Sequence, residues 1–414
     1  MASSSSARPR KRPRTAAALA VGLLAASLLV VLLVPARGSS HDPGTRCRTV
    51  RIYSGQANSP YWVVAQELGR ELVRRHPGWG LTVDPVATDG SADNIYRLQD
   101  DGAAACSLAM VQLNVAVDAT FGIYQFDYQS AARFRRGTLN QVNRLRTLGP
   151  SYFDLVHVIV RRGEVSSLRD LCGKTVSGGL ELSGSLQMND VLFDNVCALT
   201  PPALPLPHVV YQTLGEGMDS LTDPATSTNP VQAVVWVAAP SGILDERIRR
   251  LGSAASDLQL LPIDRYREGF GTHWDRYYER VAGAGFVRRD GAPGIFADRT
   301  ISAGTYSGMN QPTATIGAPN GLVARDTVDP GLAVAAARIM ADRPWLAGAL
   351  GQAAPAAVAH AHSDALESDT HADSDAAGEY RQLWRNPVFC LVPVLPAVAT
   401  ALREYTAQQH CGLS

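Results

Sequence analysis

The sequence predicts an α/β protein of two lobes, each a mixed, mostly parallel sheet flanked by helices, around a cleft. Three observations predict it. Residues 49–111 read as β-α-β-α-β, the pattern of a parallel sheet with covering helices. A second α/β set follows between 156 and 262. The chain then returns with two or three crossings, and that joins two sheets rather than extending one.

The elements follow in order. Thr49–Tyr53 reads as a short buried strand, broken by the polar loop Ser54–Pro60. Tyr61–Arg75 is an amphipathic helix with Tyr61, Ala65, Leu68 and Leu72 on one face, stopped by His76-Pro77-Gly78. Leu81–Val86 is a second strand, Thr88–Ser91 a turn, Ala92–Leu98 a helix and Ala104–Val111 a third strand. Further on, Val156–Val160, Lys174–Ser177, Val209–Tyr211, Ala233–Val237 and Leu258–Pro262 read as strands. Gly178–Ser185 opens a helix running to about Asn195. The return passes through Tyr266–Val281, Thr305–Thr315 and the helix-rich Gly331–Leu350.

The N-terminus reads as an address. Residues 1–15 carry Arg8, Arg10, Lys11, Arg12 and Arg14, and Ala16–Val34 follows without a charge. A basic flank before an apolar run is an export signal. Its 19 residues suit either a cleaved signal peptide, with Val34-Pro35-Ala36 as the cleavage site, or a retained transmembrane anchor. Both place the remaining chain outside the cytoplasm, secreted or on the outer face of the membrane. The whole chain has 38 basic and 38 acidic residues. Without residues 1–36 it has 33 basic against 38 acidic, a net of −5. Such a body is not a nucleic-acid binder working through a broad basic field.

All six cysteines lie beyond that segment, and an even count in an oxidising compartment predicts disulfides. Cys172 starts a strand and Cys197 ends the helix returning beside it. Cys47 and Cys106 lead into neighbouring parallel strands, which leaves Cys390 and Cys411 to pair.

Catalytic patterns are absent. Gly173-Lys174-Thr175 ends like a P-loop, but Leu168 stands where that motif needs glycine. There is no GxSxG elbow and no HExxH. No cofactor or metal is expected. His360, His362, His371, Asp364, Asp373 and Asp375 lie in an Ala/Ser/Asp/His stretch, 356–378. It lacks apolar periodicity and reads as a solvated insertion rather than a metal-collecting tract.

The polar loops carry the functional reading. Ser54-Gly55, Ser91, Asn94, Gln112, Asn114 and Ser183-Gly184-Ser185 are small or amide residues at strand ends and helix starts. Ligands of parallel sheets bind at the carboxyl ends of strands. Helix N-termini supply free N–H groups and positive partial charge suited to a carboxylate. Two such starts facing each other would grip a small anion without metal.

At these residues the sequence resembles the TAXI subclass of TRAP-transporter solute-binding proteins, from about Val50 to Met340. The matching elements are Ile52-Tyr53-Ser54-Gly55 with Tyr61, Thr88-Asp89-Gly90-Ser91-Ala92-Asp93-Asn94, and Ala109–Asn114. Later elements are Leu171–Val176 followed by Leu182-Ser183-Gly184-Ser185, and Thr305-Tyr306-Ser307-Gly308. The resemblance implies a type II periplasmic-binding-protein-like fold that closes on a glutamate- or glutamine-like solute or a dicarboxylate. It also implies delivery to permease subunits of a TRAP transporter. Carried over, Tyr61, Ser91, Asn94, Gln112, Ser183 and Ser185 line the cleft, with Trp236 and Tyr306 as aromatic walls. Two departures stand out. Asn114 replaces a usual Asp, and Pro393–Val398 lacks the His and Gly of a common C-terminal element.

The expectation is a non-enzymatic, extracytoplasmic solute receptor. Lobe one would comprise 45–155 and 262–414, and lobe two 160–258. The alternative is a membrane-anchored sensory or scaffold ectodomain of the same fold, coupled to a partner protein.

Overall fold

Short apolar runs between glycine-, proline- and asparagine-rich breaks become the strands. The computed structural model describes residues 44–126, 144–240, 242–263, 295–353, 380–381 and 383–407. The N-terminal segment 1–36, the stretch Tyr266–Val281, the 356–378 insertion and Cys411 lie outside the described residues. Among the described residues no helix is long and apolar enough to cross a membrane.

The first parallel group is β1 (Thr49–Tyr53), β2 (Thr82–Val86) and β3 (Ser107–Gln112), with β1 central. Helices α1 (Pro60–Arg75), α2 (Ser91–Asp100) and α3 (Leu113–Phe121) follow these strands in turn. The second parallel group is β5 (Thr175–Ser177), β6 (His208–Val210) and β7 (Ala233–Ala238). Its helices are α4 (Gly184–Phe193), α5 (Leu214–Thr222) and α6 (Gly242–Arg250). Every residue of β3 and β7 is buried, as expected for strands covered on both faces.

Two long strands join the groups, β4 (Leu145–Arg161) and β10 (Thr313–Arg325). They run antiparallel to one another and give the order β2-β1-β3-β10-β4-β7-β5-β6. β8 (Leu258–Leu260) pairs with β4, and β9 (Ala297–Ile301) pairs with β10. Parallel pairing thus occupies the two ends of the sheet and antiparallel pairing its middle. Helix α7 (Pro330–Ala341) begins on an Asp329 cap that accepts from the Leu332 N–H, with Pro330 at the first helical position.

Both crossing strands exceed what the sequence predicted. The expected strand Val156–Val160 extends back to Leu145, through Gly149 and Pro150. The chain's return, for which no strand was assigned, forms the long strand Thr313–Arg325, through Gly317-Ala318-Pro319-Asn320-Gly321. Those residues look like turns, but their neighbours override local preference. A Cβ at Gly321 would lie 2.6 Å from the Gly149 carbonyl, so glycine lets two backbones touch. Register shifts on either side of Gly321 absorb the missing proline donor.

One hydrophobic core runs along the sheet through both groups. A second, beyond β7, gathers Leu155, Ile159, Leu214, Trp236 and Ile248 with Ile301, Tyr306 and Met309. The segment after β9 therefore packs on the second group, not with the rest of the chain's return. Cys47–Cys106 and Cys172–Cys197 are bridged as expected. Cys390 is also disulfide-bonded.

Candidate functional site

The loops after β1, β2 and β3 meet the start of α4 and the end of β7 at the junction between the two parallel groups. A cavity there is lined by Gly55, Gln56, Ser59, Pro60, Tyr61, Asp89, Gly90, Ser91, Gln112, Ser183–Ser185 and Trp236–Ala238. Each loop stands at the carboxyl end of a parallel strand, as expected. The cavity measures about 50 Å³. That is room for a water or two, far below the several hundred Å³ of a typical ligand site. The described form is closed.

Closure is made by direct contacts. The Ala92 and Asp93 N–H groups, at the start of α2, donate to the Leu182 carbonyl at 3.0 and 3.2 Å. Asn114 Nδ2 donates to Gln187 Oε1. Gln125 Nε2 donates to the carbonyls of Glu181 and Ser183 at 2.8 and 3.2 Å. Two glycines permit the approach. A Cβ on Gly90 would sit 3.0 Å from Ser183 Cα, and one on Gly184 would sit 2.5 Å from Gln112 Cδ. At Gly90 the φ of 130° also disfavours any side chain.

These contacts occupy part of the expected anion grip. The first N–H groups of α2 are spent on Leu182. The start of α4 is capped by Ser183, whose hydroxyl accepts from the Leu186 N–H.

The expected site residues divide into two sets. Gly55, Tyr61, Ser91, Gln112, Ser183, Gly184, Ser185 and Trp236 line the cavity. Ser91 Oγ accepts from the Gln112 N–H at 3.0 Å, and Ser185 Oγ accepts from the Val237 N–H at 3.2 Å. The other four do not line it. Ser54 donates to the Val86 carbonyl. The Asn94 amide donates to the carbonyls of Ser54 and Met110, tying β1 to β3. Asn114 is spent on Gln187. Tyr306 lies in the second core, its hydroxyl 2.7 Å from His157 Nε2.

Behind the cavity stands a carboxylate that the sequence reading missed. Asp154, in β4, is fully buried. Its Oδ2 accepts from the Tyr61 hydroxyl at 2.8 Å and from Asn320 Nδ2 at 3.0 Å. The Gln112 amide and the Ala239 N–H also hydrogen-bond this carboxylate. Gln112 Oε1 and the Trp236 indole Nε1 have no partner among the described residues. Burial pushes the Asp154 carboxyl up to about 7 despite the bonds from Tyr61 and Asn320. Burial, then the nearby Asp154 charge, holds the Tyr61 and Tyr152 hydroxyls well above the usual phenol range. A hint was readable: Asp154 is a charge within the otherwise apolar Tyr152–Val156 stretch, and buried charges demand partners.

A second, larger cavity of about 430 Å³ adjoins the first through Gln56, Ser59 and Trp236. Its other walls are Ala57, Asn58, Thr213–Gly215, Ile243, Glu246, Arg247 and Arg250. Among the described residues there is no cluster of His, Cys, Asp and Glu fit to hold a metal ion.

The strand order puts parallel groups at both ends of one mixed sheet, with two long antiparallel strands crossing between them. No family model matches the chain, and no curated protein matches it. Solved structures superpose weakly. One is a periplasmic transporter structure, with 12% identity, a TM-score of 0.40, and coverage of 82% of this chain and 94% of that one. Holo ArgBP from T. maritima has 12% identity, a TM-score of 0.35, and coverage of 71% and 89%. The substrate-binding protein of an amino acid ABC transporter has 8% identity, a TM-score of 0.36, and coverage of 73% and 98%. At such distances the site rests on its own residues.

Proposed function

We propose that the chain is an extracytoplasmic solute-binding receptor that closes on a small polar solute at the junction of its two parallel groups. The observation that carries this reading is that two unpartnered buried polar atoms belong to the walls of one cavity, where strand-end loops of both groups meet. Folded proteins pair nearly all such groups. Here Gln112 Oε1 and Trp236 Nε1 belong to cavity walls. A bound solute would supply the missing partners, and opening at the crossing strands would admit it.

In this reading lobe one is built on β1–β3, lobe two on β5–β7, and β4 and β10 form the hinge. The residue 301–309 segment moves with lobe two, because Ile301, Tyr306 and Met309 belong to its core. The TAXI-like motifs extend the reading to a glutamate- or glutamine-like solute or a dicarboxylate, and to delivery to TRAP permease subunits. The basic, apolar N-terminal segment is the export signal or anchor.

The test is mass spectrometry of small molecules released from natively purified protein, with thermal unfolding against glutamate, glutamine and dicarboxylates. A ligand that binds only the native state raises the unfolding midpoint. Absence of any co-purifying solute, together with no shift across a broad panel, would sink the proposal.

A further inference from the structure

The larger cavity contains an arginine without an acid. Helix α6 carries Arg247, Arg249 and Arg250 in its last turn. Arg249 pairs with Asp245 at 2.9 Å and Arg250 pairs with Glu246, both four residues apart. Four residues to either side of Arg247 stand Ile243 and Leu251. No hydrogen bond or ion pair joins Arg247 to another described residue.

Its position adds a second oddity. The Arg247 guanidinium lies against Gly215, in the first turn of α5, where a Cβ would come within 2.8 Å of Cζ. The N-terminus of a helix is its positive end, so a cation there is unfavourable unless an anion lies between. The Thr213–Glu216 capping box uses the N–H groups of Thr213 and Glu216. Among the described residues those of Leu214 and Gly215 take no part in any hydrogen bond. The third observation is independent of the helix. Trp236, 8% exposed, walls the same cavity, and its indole N–H has no partner among the described residues.

We propose that this cavity is an anion subsite that holds a carboxylate of the solute, with Arg247, the first N–H groups of α5 and the Trp236 indole as donors. A guanidinium offers the planar fork that matches a carboxylate, and the anion would relieve its contact with the helix start. Because the two cavities share Gln56, Ser59 and Trp236, the carboxylate would be the distal one of a solute whose other end lies at the junction. The inference rests on the receptor reading for the solute; Arg247 and the start of α5 lie outside the junction, and Trp236 walls both cavities.

The experiment is calorimetric titration of the full chain with glutarate, L-glutamate and L-glutamine, in wild type, Arg247→Gln, Arg247→Lys and Trp236→Phe. Wild type should bind at least one of the two acids. R247Q should weaken that binding by about tenfold or more, with R247K between it and wild type. W236F should weaken it as well. Thermal unfolding checks that each variant folds, and R247K covers the case in which R247Q does not. If wild type binds neither acid, or R247Q loses less than that, the anion subsite is overturned. The receptor reading fails only if no solute, charged or neutral, binds wild type.

Discussion

Tyr61 donates its hydroxyl to Asp154 Oδ2 at 2.8 Å, tying the start of α1 to the crossing strand β4. The bond is fully buried, and burial pushes the Asp154 carboxyl up to about 7. An unfolded aspartate titrates near 4, so between about pH 4 and pH 7 the folded chain binds the extra proton. Stability from this group is therefore full below pH 4 and lost as pH rises through 7. Asp154→Asn should gain stability relative to wild type across that window, by up to about 4 kcal/mol at pH 8. Asp190 is also raised to about 7, by burial and then by Asp194, so the single variant removes one of two such contributions. Urea unfolding at pH 4, 6 and 8 checks this; a difference between variant and wild type that stays flat with pH would refute it.

Gly184 and Gln112 meet closely across the junction. A Cβ on Gly184 would lie 2.5 Å from Gln112 Cδ, and Gln112 is held by its own N–H to Ser91. Gly184→Ala should cost roughly 1–3 kcal/mol, or force the two groups apart. The second outcome would appear as a larger radius of gyration in small-angle scattering. Gln112→Ala in the same chain should restore most of the loss, because the two positions share one space. Additive losses in the double variant would mean that the contact does not control closure.

Legibility followed the range of the forces involved. The loops after β1 and β2 were readable because each follows an apolar run and is rich in Gly, Ser, Asn, Asp or Pro, so that part of the first sheet's carboxyl edge could be placed from local pattern alone. The two bridges could be placed because strand and helix ends constrain cysteine neighbours. Asp154 could not be assigned, since its partners Tyr61 and Asn320 lie 93 and 166 residues away. β10 was not assigned, because Pro319-Asn320-Gly321 signals a turn locally, and only the Gly149 backbone shows why glycine is needed. The α2 start looked available because its acceptor, the Leu182 carbonyl, belongs to a different part of the chain.

The two described bridges should contribute unequally. Cys47–Cys106 spans 59 residues and Cys172–Cys197 spans 25. Chain-entropy arguments give about 4 kcal/mol for the longer loop and about 3.5 kcal/mol for the shorter. Replacing each pair by alanine and measuring denaturant midpoints should rank the losses in that order. A larger loss from Cys172→Ala with Cys197→Ala would show that native packing, not loop closure, dominates.

His157 sets an acid limit of the opposite sign. Its Nδ1 lies 3.2 Å from the Trp236 carbonyl, which can only accept, so Nδ1 carries the proton. Nε2 then takes the Tyr306 hydroxyl at 2.7 Å as a neutral acceptor. Burial holds this imidazole down to about 4. The unfolded chain, with an ordinary histidine near 6.5, binds the extra proton between about pH 6.5 and pH 4. Stability from His157 is full above pH 6.5 and is lost as pH falls through 4, against the trend set by Asp154. His157→Gln keeps an amide but does not titrate, so it should flatten that acid limb. Tyr306→Phe should cost about 1–3 kcal/mol at pH 8, where Nε2 loses its donor. Unfolding curves at pH 8 and pH 5 test both variants. An unaltered acid limb in H157Q, or a Y306F chain as stable as wild type, would show that this buried pair does not anchor Trp236.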